Sequence, residues 1–279
     1  MGEDVAYAIR SAAQRLAATS DTARLDAELL MAHALGMPRS DMLLRAMRDP
    51  APAGFAALVE RRAAREPVAH IVGRQEFHGL DFAVTRDTLI PRGDSEVLVD
   101  AALEFAGEAG RALDLGTGTG ALLLAFLSQR PGWTGIGIDA SEAARAVAER
   151  NAAALDVTDR ADMRRGDWRA EGWADDLGQF DLILCNPPYV ESAAELDPDV
   201  RDYEPATALF AGEDGLDDYR VLLPQLAGLL APGGVAIFEI GYRQADAVTA
   251  LADANGFTAG LVRDLAKRPR ALILREKGR

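Results

Sequence analysis

The chain has 279 residues, 49% hydrophobic and 27% charged, which suits a folded chain with a large core. Its formal net charge of −14, from 44 acidic and 30 basic side chains, argues against a nucleic-acid binder that works by bulk positive charge. One cysteine, Cys185, excludes an internal disulfide, a cysteine-rich zinc site and a CxxC redox pair, and fits a reducing, cytoplasmic compartment.

The opening MGEDVAYAIR lacks the apolar stretch expected of a signal peptide. No apolar run approaches the roughly 18 residues of a membrane span. Residues 1–66 read as a small helical domain. Val5, Ile9, Ala12, Ala13 and Leu16 recur at helical spacing. A second helix after Ser20 places Leu25, Leu29 and Ala32 on one face, and Gly36 and Pro38 stop it. Ser40 is placed to cap a third helix, DMLLRAM. Pro50 and Pro52 open a fourth, whose end, ERRAARE with Arg61, Arg62 and Arg65, reads as solvated.

Residues 67–90 read as a β-hairpin linker turning at His78-Gly79. From 91 to 279 a helix (SEVLVDAALEFAGEAG) leads into alternating strands and helices. The strands are RALDLG, TGIGIDA, ADMRRGD, FDLILCN and VAIFEIG, with GFTAGLVRDL and ALILREK as a closing pair. DDYRVLLPQLAGLL reads as a single helix before VAIFEIG. Such alternation predicts an α/β fold with a mostly parallel sheet covered by helices on both faces.

RALDLG runs into Gly116-Thr117-Gly118-Thr119-Gly120 and then a helix. Glycines there allow positive φ and close approach of a ligand, and the helix N-terminus offers free N–H groups. Asp139 ends the next strand, 23 residues after Gly116, where a carboxylate can bind both hydroxyls of a ribose. Gly116, Gly118 and Ala121 also satisfy the dinucleotide pattern, so an NAD enzyme competes on this motif alone. Asp114 tips the balance: a carboxylate at the strand end suits an ammonium group and repels a pyrophosphate.

FDLILC ends directly in Asn186-Pro187-Pro188-Tyr189. Ligands of open α/β sheets sit beyond the carboxyl ends of the strands. The prolines stiffen the loop and remove N–H donors, so it presents carbonyls. Asn186 adds a side-chain acceptor, and Tyr189 a ring face for a planar substrate. Two acceptors on the N–H groups of an amide or aromatic amine orient a poor nitrogen nucleophile and stabilise the positive charge it gains on methylation. No metal or strong base is needed.

Together these motifs resemble the class I S-adenosylmethionine-dependent methyltransferases that modify planar nitrogens, and more closely the PrmC/HemK family of release factor glutamine methyltransferases. The resemblance follows PVAHIVGRQEFHGLDFAVTRDTLIPR, DLGTGTGALLLA, GIDAS, GDW, NPPYV, YEPATALFAGEDGLDDYR, FEIGYRQ and DLAKRPRAL. NPPY alone is shared with adenine-amino methyltransferases. The stretches before the glycine loop and after NPPY are more specific. One departure is PRGDSE after Ile90, where Gly93 loosens the helix start.

The resemblance implies a Rossmann-like, seven-stranded, mostly parallel sheet and methylation of the Gln side-chain amide in the Gly-Gly-Gln motif of class 1 peptide chain release factors. S-adenosylmethionine would be held by Asp114, Gly116 to Gly120, Asp139, Asp167, Trp168 and Asn186. The glutamine would be held by Asn186, Pro187, Pro188 and Tyr189, of which Asn186, Pro187 and Tyr189 would act in catalysis. The helical domain would dock the protein substrate. A monomer without nucleic-acid or membrane partners is expected. The alternatives are an adenine-amino or ribosomal-protein glutamine methyltransferase, a non-enzymatic binding module, and an NAD enzyme.

Trp168 is as readable as core as it is as a neighbour of adenine. Cys185 reads as a buried small hydrophobe, and Glu239 as a strand-end acid with satisfied partners. The charge is local: residues 1–66 hold 9 basic and 9 acidic side chains, whereas residues 191–218 hold 10 acids and one base, Arg201. Beside NPPY, such a rim would favour a basic protein loop over a phosphate backbone.

Overall fold

The computed structural model describes residues 3–278. They form two compact units. One comprises the residues up to Arg74 with Leu196–Tyr203, the other Gln75–Glu195 with the residues from Glu204 on. No helix among the described residues is long and apolar enough to cross a membrane.

The first unit is helical. In α1 (Val5–Leu16) the Asp4 carboxylate accepts the Tyr7 N–H at 2.7 Å, capping the helix, and Val5, Ile9, Ala12 and Leu16 are buried. In α2 (Ala23–Leu35) the expected face is buried at Ala32 but not at its two leucines. Leu25 and Leu29 are exposed, while Ala27, Leu30 and Met31 enter the core. The reason lies in two buried acids on this helix. Glu28 receives Arg24 at 2.5 Å and Arg39 at 2.6 Å, and Asp26 receives Arg62 at 2.7 Å, so both carboxylates are compensated inside. The third helix also differs: α3 (Arg39–Asp41) follows Pro38 and widens into a π-helical turn, Met42–Ala46, so Ser40 lies inside the helix and does not cap it.

In α4 (Phe55–Ala63), Phe55 and Val59 complete this core, and α5 (Val68–Val72) ends at Gly73 with φ 76°. The end of α4 is not uniformly solvated. Arg61 pairs with Glu66 at 2.8 Å, and Arg62 is buried between Asp26 and Asp199.

The hairpin β1 (Arg74–Phe77) and β2 (Leu80–Ala83) turns through His78 (φ 51°) and Gly79 (φ 77°), two positive-φ residues that match the strand twist. The following elements are α6 (Glu96–Phe105), β3 (Ala109–Leu115), α7 (Ala121–Gln129), β4 (Gly132–Asp139), α8 (Glu142–Ala154), β5 (Ala161–Arg165) and β6 (Phe180–Cys185). A short α9 (Pro198–Arg201) belongs to the first unit. The chain then runs through α10 (Asp217–Leu222), α11 (Leu226–Leu229), β7 (Leu230–Glu239), α12 (Ala245–Ala254), β8 (Phe257–Arg263) and β9 (Pro269–Glu276). The helix expected over DDYRVLLPQLAGLL is divided into α10, a 3-10 turn and α11, because Pro224 cannot donate to the helix ladder.

The seven-stranded sheet has the order β5-β4-β3-β6-β7-β9-β8. Strands β5, β4, β3, β6 and β7 are parallel, and the last two are antiparallel, as the closing pair predicts. Apolar clusters cover both faces, one with Leu98, Leu123 and Phe126, the other with Phe180, Tyr219 and Leu226. The chain order reverses between β3 and β6, and this switch point opens a crevice beyond the strand ends. Leu115 lies level with both Ile138 and Cys185, so the glycine loop and the NPPY loop leave neighbouring strands at the same height.

Candidate active site

A cavity of about 400 Å³ occupies this crevice. Its wall includes Gly116, Thr117, Gly118, Thr119, Asp139, Asp167, Trp168, Asn186 and Pro188 from the expected set. Asp114, Gly120, Pro187 and Tyr189 are not among its lining residues.

The loop after β3 needs its glycines. Gly116, Gly118 and Gly120 have φ of 73°, 56° and 82°. The Gly116 and Thr117 N–H groups both donate to the Ile138 carbonyl at 2.9 Å, binding the loop to the end of β4. A Cβ on Gly116 would sit 3.2 Å from the Trp168 ring, so a side chain there would press on the indole.

Asp139 accepts the Gly118 N–H at 2.9 Å and the Ser141 N–H at 2.8 Å, so its carboxylate is oriented on the cavity rim. Burial pushes this carboxyl up, and the two N–H bonds draw it back down. Asp114 is 1% exposed, and its Oδ2 accepts the Thr117 hydroxyl at 2.7 Å. Its Oδ1 has no partner among the described residues. Burial pushes Asp114 up to about 7 against the Thr117 hydrogen bond, with Asp139 adding a like charge. This acid therefore acts on the cavity from beneath the loop, through Thr117.

The Trp168 indole N–H donates to Asp218 Oδ1 at 2.9 Å, and Arg169 reaches the same oxygen at 2.7 Å. Trp168 thus packs on the core cluster of α10 and also borders the cavity. Asn186 presents a side-chain amide with no hydrogen-bond partner among the described residues. Tyr189 is turned to the other side: its hydroxyl donates to Glu239 Oε1 at 3.2 Å, and its carbonyl accepts from Gln244 Nε2 at 3.0 Å. Burial and the Glu239 carboxylate hold this phenol well above its ordinary value. Glu239 Oε2 has no hydrogen-bond partner among the described residues. Cys185 is buried and its thiol is pushed well up, which suits packing and not nucleophilic chemistry.

Several wall residues lie outside the expected site set, although all of them but Ser95 fall in stretches that carry the family resemblance. Phe77 comes from the hairpin, Arg92 and Ser95 from the turn before α6, and Thr207 and Phe210 from the segment after NPPY. Arg92 is anchored by the buried carboxylate of Glu204, which also accepts the Ile90 N–H at 3.0 Å. Neither partner announces itself locally, because the two lie 112 residues apart.

The donor set suits S-adenosylmethionine. The glycine cradle, the oriented Asp139 and the unpartnered oxygen of Asp114 offer close backbone approach, a diol acceptor and negative charge for a cationic ligand. Family models match the N-terminal region as the PrmC N-terminal domain (residues 7–73) and the catalytic region as the methyltransferase small domain (residues 93–201). A release factor glutamine methyltransferase from Cereibacter sphaeroides is 44% identical over 278 residues, covering 97% of this chain and 98% of that one. The chain belongs to the release factor glutamine methyltransferase family. The family member from Rhodospirillum rubrum is also 44% identical, over 91% of this chain and 79% of its own. A methyltransferase from Pyrococcus furiosus superposes with a TM-score of 0.52 at 18% identity, over 72% of this chain and 90% of that one, and shares the fold. The protein is accordingly an S-adenosylmethionine-dependent methyltransferase.

Proposed function

We propose that this enzyme methylates the side-chain amide nitrogen of the Gln in the Gly-Gly-Gln motif of class 1 peptide chain release factors. The observation that carries this reading is the free Asn186 amide in the wall of one cavity with the glycine loop and Asp139.

In this reading Asp139 takes the ribose hydroxyls, Gly116 to Gly118 pass close to the ligand, and Asp167 and Trp168 border its base. The cofactor supplies a methyl group on a sulfonium. Asn186 Oδ1 accepts one N–H of the substrate amide, and the Pro187 carbonyl accepts the other. These two acceptors turn the nitrogen lone pair toward the methyl group and stabilise the charge that develops on nitrogen. Tyr189 acts on the loop: held at its hydroxyl by Glu239 and at its carbonyl by Gln244, it fixes the backbone that presents Asn186 and Pro187.

In this reading the unit that begins at Gln75 is catalytic and opens with the hairpin, and the helical unit up to Arg74 is the docking surface for the release factor. The same reading makes the enzyme cytoplasmic and monomeric, with no nucleic-acid partner. The test is purified enzyme, labelled S-adenosylmethionine and an unmodified release factor, followed by peptide mass spectrometry. Methyl on that Gln is expected; methyl on another residue, on a ribosomal protein alone or on adenine overturns the reading.

A further inference from the structure

Residues 166–179, between β5 and β6, form neither helix nor strand, yet they supply one side of the cavity with Asp167, Trp168 and Arg169. Backbone bonds within this stretch close only single turns, such as the Ala170 N–H on the Asp167 carbonyl at 2.9 Å. It is held by α10 and the 3-10 turn that follows. Asp218 Oδ1 accepts the Trp168 indole N–H at 2.9 Å and Arg169 at 2.7 Å. Gln225 donates to the Trp168 carbonyl at 3.2 Å and accepts the Trp173 indole N–H at 2.5 Å.

The Trp168 ring is therefore fixed at both edges. Its N–H edge meets Asp218, and its benzo edge lies against Gly116, where an added Cβ would stand 3.2 Å from Cη2. A buried indole N–H needs an acceptor, and a carboxylate binds it more strongly than a neutral oxygen. Asp218 is 3% exposed and is compensated by Arg169, so the acceptor is a desolvated charge with its counter-ion beside it. For packing alone, apolar neighbours of similar volume serve as well or better. A charged acceptor aimed at one N–H sets an orientation, and the ring it orients is a wall of the cavity.

We propose that Asp218 is a positioning residue for cofactor binding: through the indole N–H it holds the Trp168 ring against the glycine loop, in the pose that leaves the cavity open to S-adenosylmethionine. The proposal rests on the reading that puts Trp168 beside the cofactor. Without the acceptor the ring is free to turn about its Cβ–Cγ bond toward the cavity it borders, and the ligand must then displace it. The loss falls on binding and not on methyl transfer, because Asn186 and the Pro187 carbonyl stand on a different loop.

Asp218→Ala should raise the dissociation constant of S-adenosylhomocysteine, by calorimetry, about tenfold, the size of one charge-assisted hydrogen bond. KM for S-adenosylmethionine should rise with it, and kcat should stay within about twofold. Asp218→Asn keeps an oxygen for the indole and should restore most of the affinity. Trp168→Phe removes the N–H, so adding Asp218→Ala to it should weaken binding no further. A carboxylate that only stabilised the fold would lower the melting temperature without this loss of additivity.

The indole N–H signals of Trp133, Trp168 and Trp173 in the magnetic resonance spectrum of isotope-labelled, cofactor-free protein report the contact directly, and Trp168→Phe assigns the one in question. The Trp168 signal should move in Asp218→Ala, move upfield in Asp218→Asn as the acceptor loses its charge, and respond to S-adenosylhomocysteine. A signal unmoved in the Asp218 variants overturns the contact, and Asp218→Asn decides this even where Asp218→Ala does not fold. Wild-type affinity in Asp218→Ala, or full additivity with Trp168→Phe, overturns the positioning role. A wild-type Trp168 signal that ignores saturating S-adenosylhomocysteine overturns the placement of Trp168 beside the cofactor, a failure told apart from the others by an intact response to the Asp218 variants.

Discussion

Arg62 and Asp199, 137 residues apart in the chain, meet at 2.6 Å in the helical unit, where Arg62 also binds Asp26 at 2.7 Å. Tyr203 reinforces the join by donating its hydroxyl to the Ala64 carbonyl at 2.8 Å. The segment that follows the NPPY loop is therefore fastened to the end of α4 by a charge that is itself buried. Replacing Arg62 with Met keeps most of the apolar stem, leaves the Asp26 carboxylate without its cation and leaves Asp199 with Arg65 alone at 3.3 Å. The expected loss is about 3–5 kcal/mol of unfolding free energy, read by denaturant titration. Asp199→Asn, at a position 23% exposed in its side chain, should cost about 1 kcal/mol or less. Wild-type stability in Arg62→Met would show that the pair contributes nothing.

Gly116→Ala should separate cofactor binding from folding. The position has φ 73° and stands against the Trp168 ring at 3.2 Å from an added Cβ. A left-handed alanine costs about 1–2 kcal/mol, and the contact adds to it. S-adenosylmethionine affinity should fall at least about tenfold by calorimetry. Adding Trp168→Ala should recover part of the loss, because it removes the contact but not the strain; no recovery would mean that the indole plays no part.

Asp114 should make both stability and ligand binding depend on pH. Its folded pKa, about 7, lies above the ordinary carboxylate value of 3.8. The folded state therefore holds the proton more tightly than the unfolded chain. The resulting stabilisation is complete below about pH 3.8 and is lost as pH rises through about 7, an effect on the order of 4 kcal/mol. Asp114→Asn should flatten that part of the profile. A cationic ligand favours the ionised carboxylate, so wild-type affinity for S-adenosylmethionine should rise between about pH 6 and 8, with proton release on binding. Calorimetry in buffers of different ionisation enthalpy measures this; a binding step without proton release near pH 6.5 would remove Asp114 from the binding site.

Asn186→Ala should leave S-adenosylhomocysteine affinity within about threefold while lowering kcat about 10²–10³-fold, the range for losing one preorganised partner of a developing charge. An equal loss in both quantities would place Asn186 in cofactor binding alone.

Much of this site is legible from residue order, for reasons of backbone geometry. FDLILC is a continuous apolar run because β6 is buried on both faces, and the positive φ values of Gly116, Gly118 and Gly120 demand glycine, so the two central loops show in the sequence. Partnerships between distant charges do not. Asp26 and Glu28 break the apolar pattern of α2, and only Arg62, Arg24 and Arg39 explain their burial and the outward turn of Leu25 and Leu29. The pairing of Arg92 with Glu204 is invisible for the same reason. Tyr189 shows the limit within a motif: its position after β6 is plain, yet its orientation is set by Glu239 and Gln244, 50 and 55 residues further on.

The acidic segment after NPPY gives the last prediction. Six of its ten acids are held by arginines: Asp199 by Arg62 and Arg65, Asp202 by Arg201, Glu204 by Arg92, Asp214 and Asp217 by Arg220, and Asp218 by Arg169. Glu191, Glu195, Asp197 and Glu213 are exposed and have no partner among the described residues. Charge that steers a substrate must come from these four, since the paired acids are largely neutralised. Reversing Glu191, Glu195 and Glu213 to Lys should lower kcat/KM for a basic release-factor loop about tenfold at low ionic strength. It should leave kcat unchanged, and the gap should close as salt shortens the Debye length to about 3 Å near 1 M. The same variant should keep the wild-type melting temperature, because no partnered charge is touched. A deficit that persists at high salt would mean that these side chains act by direct contact, and an unchanged kcat/KM at low salt would leave the acidic rim with no part in substrate capture.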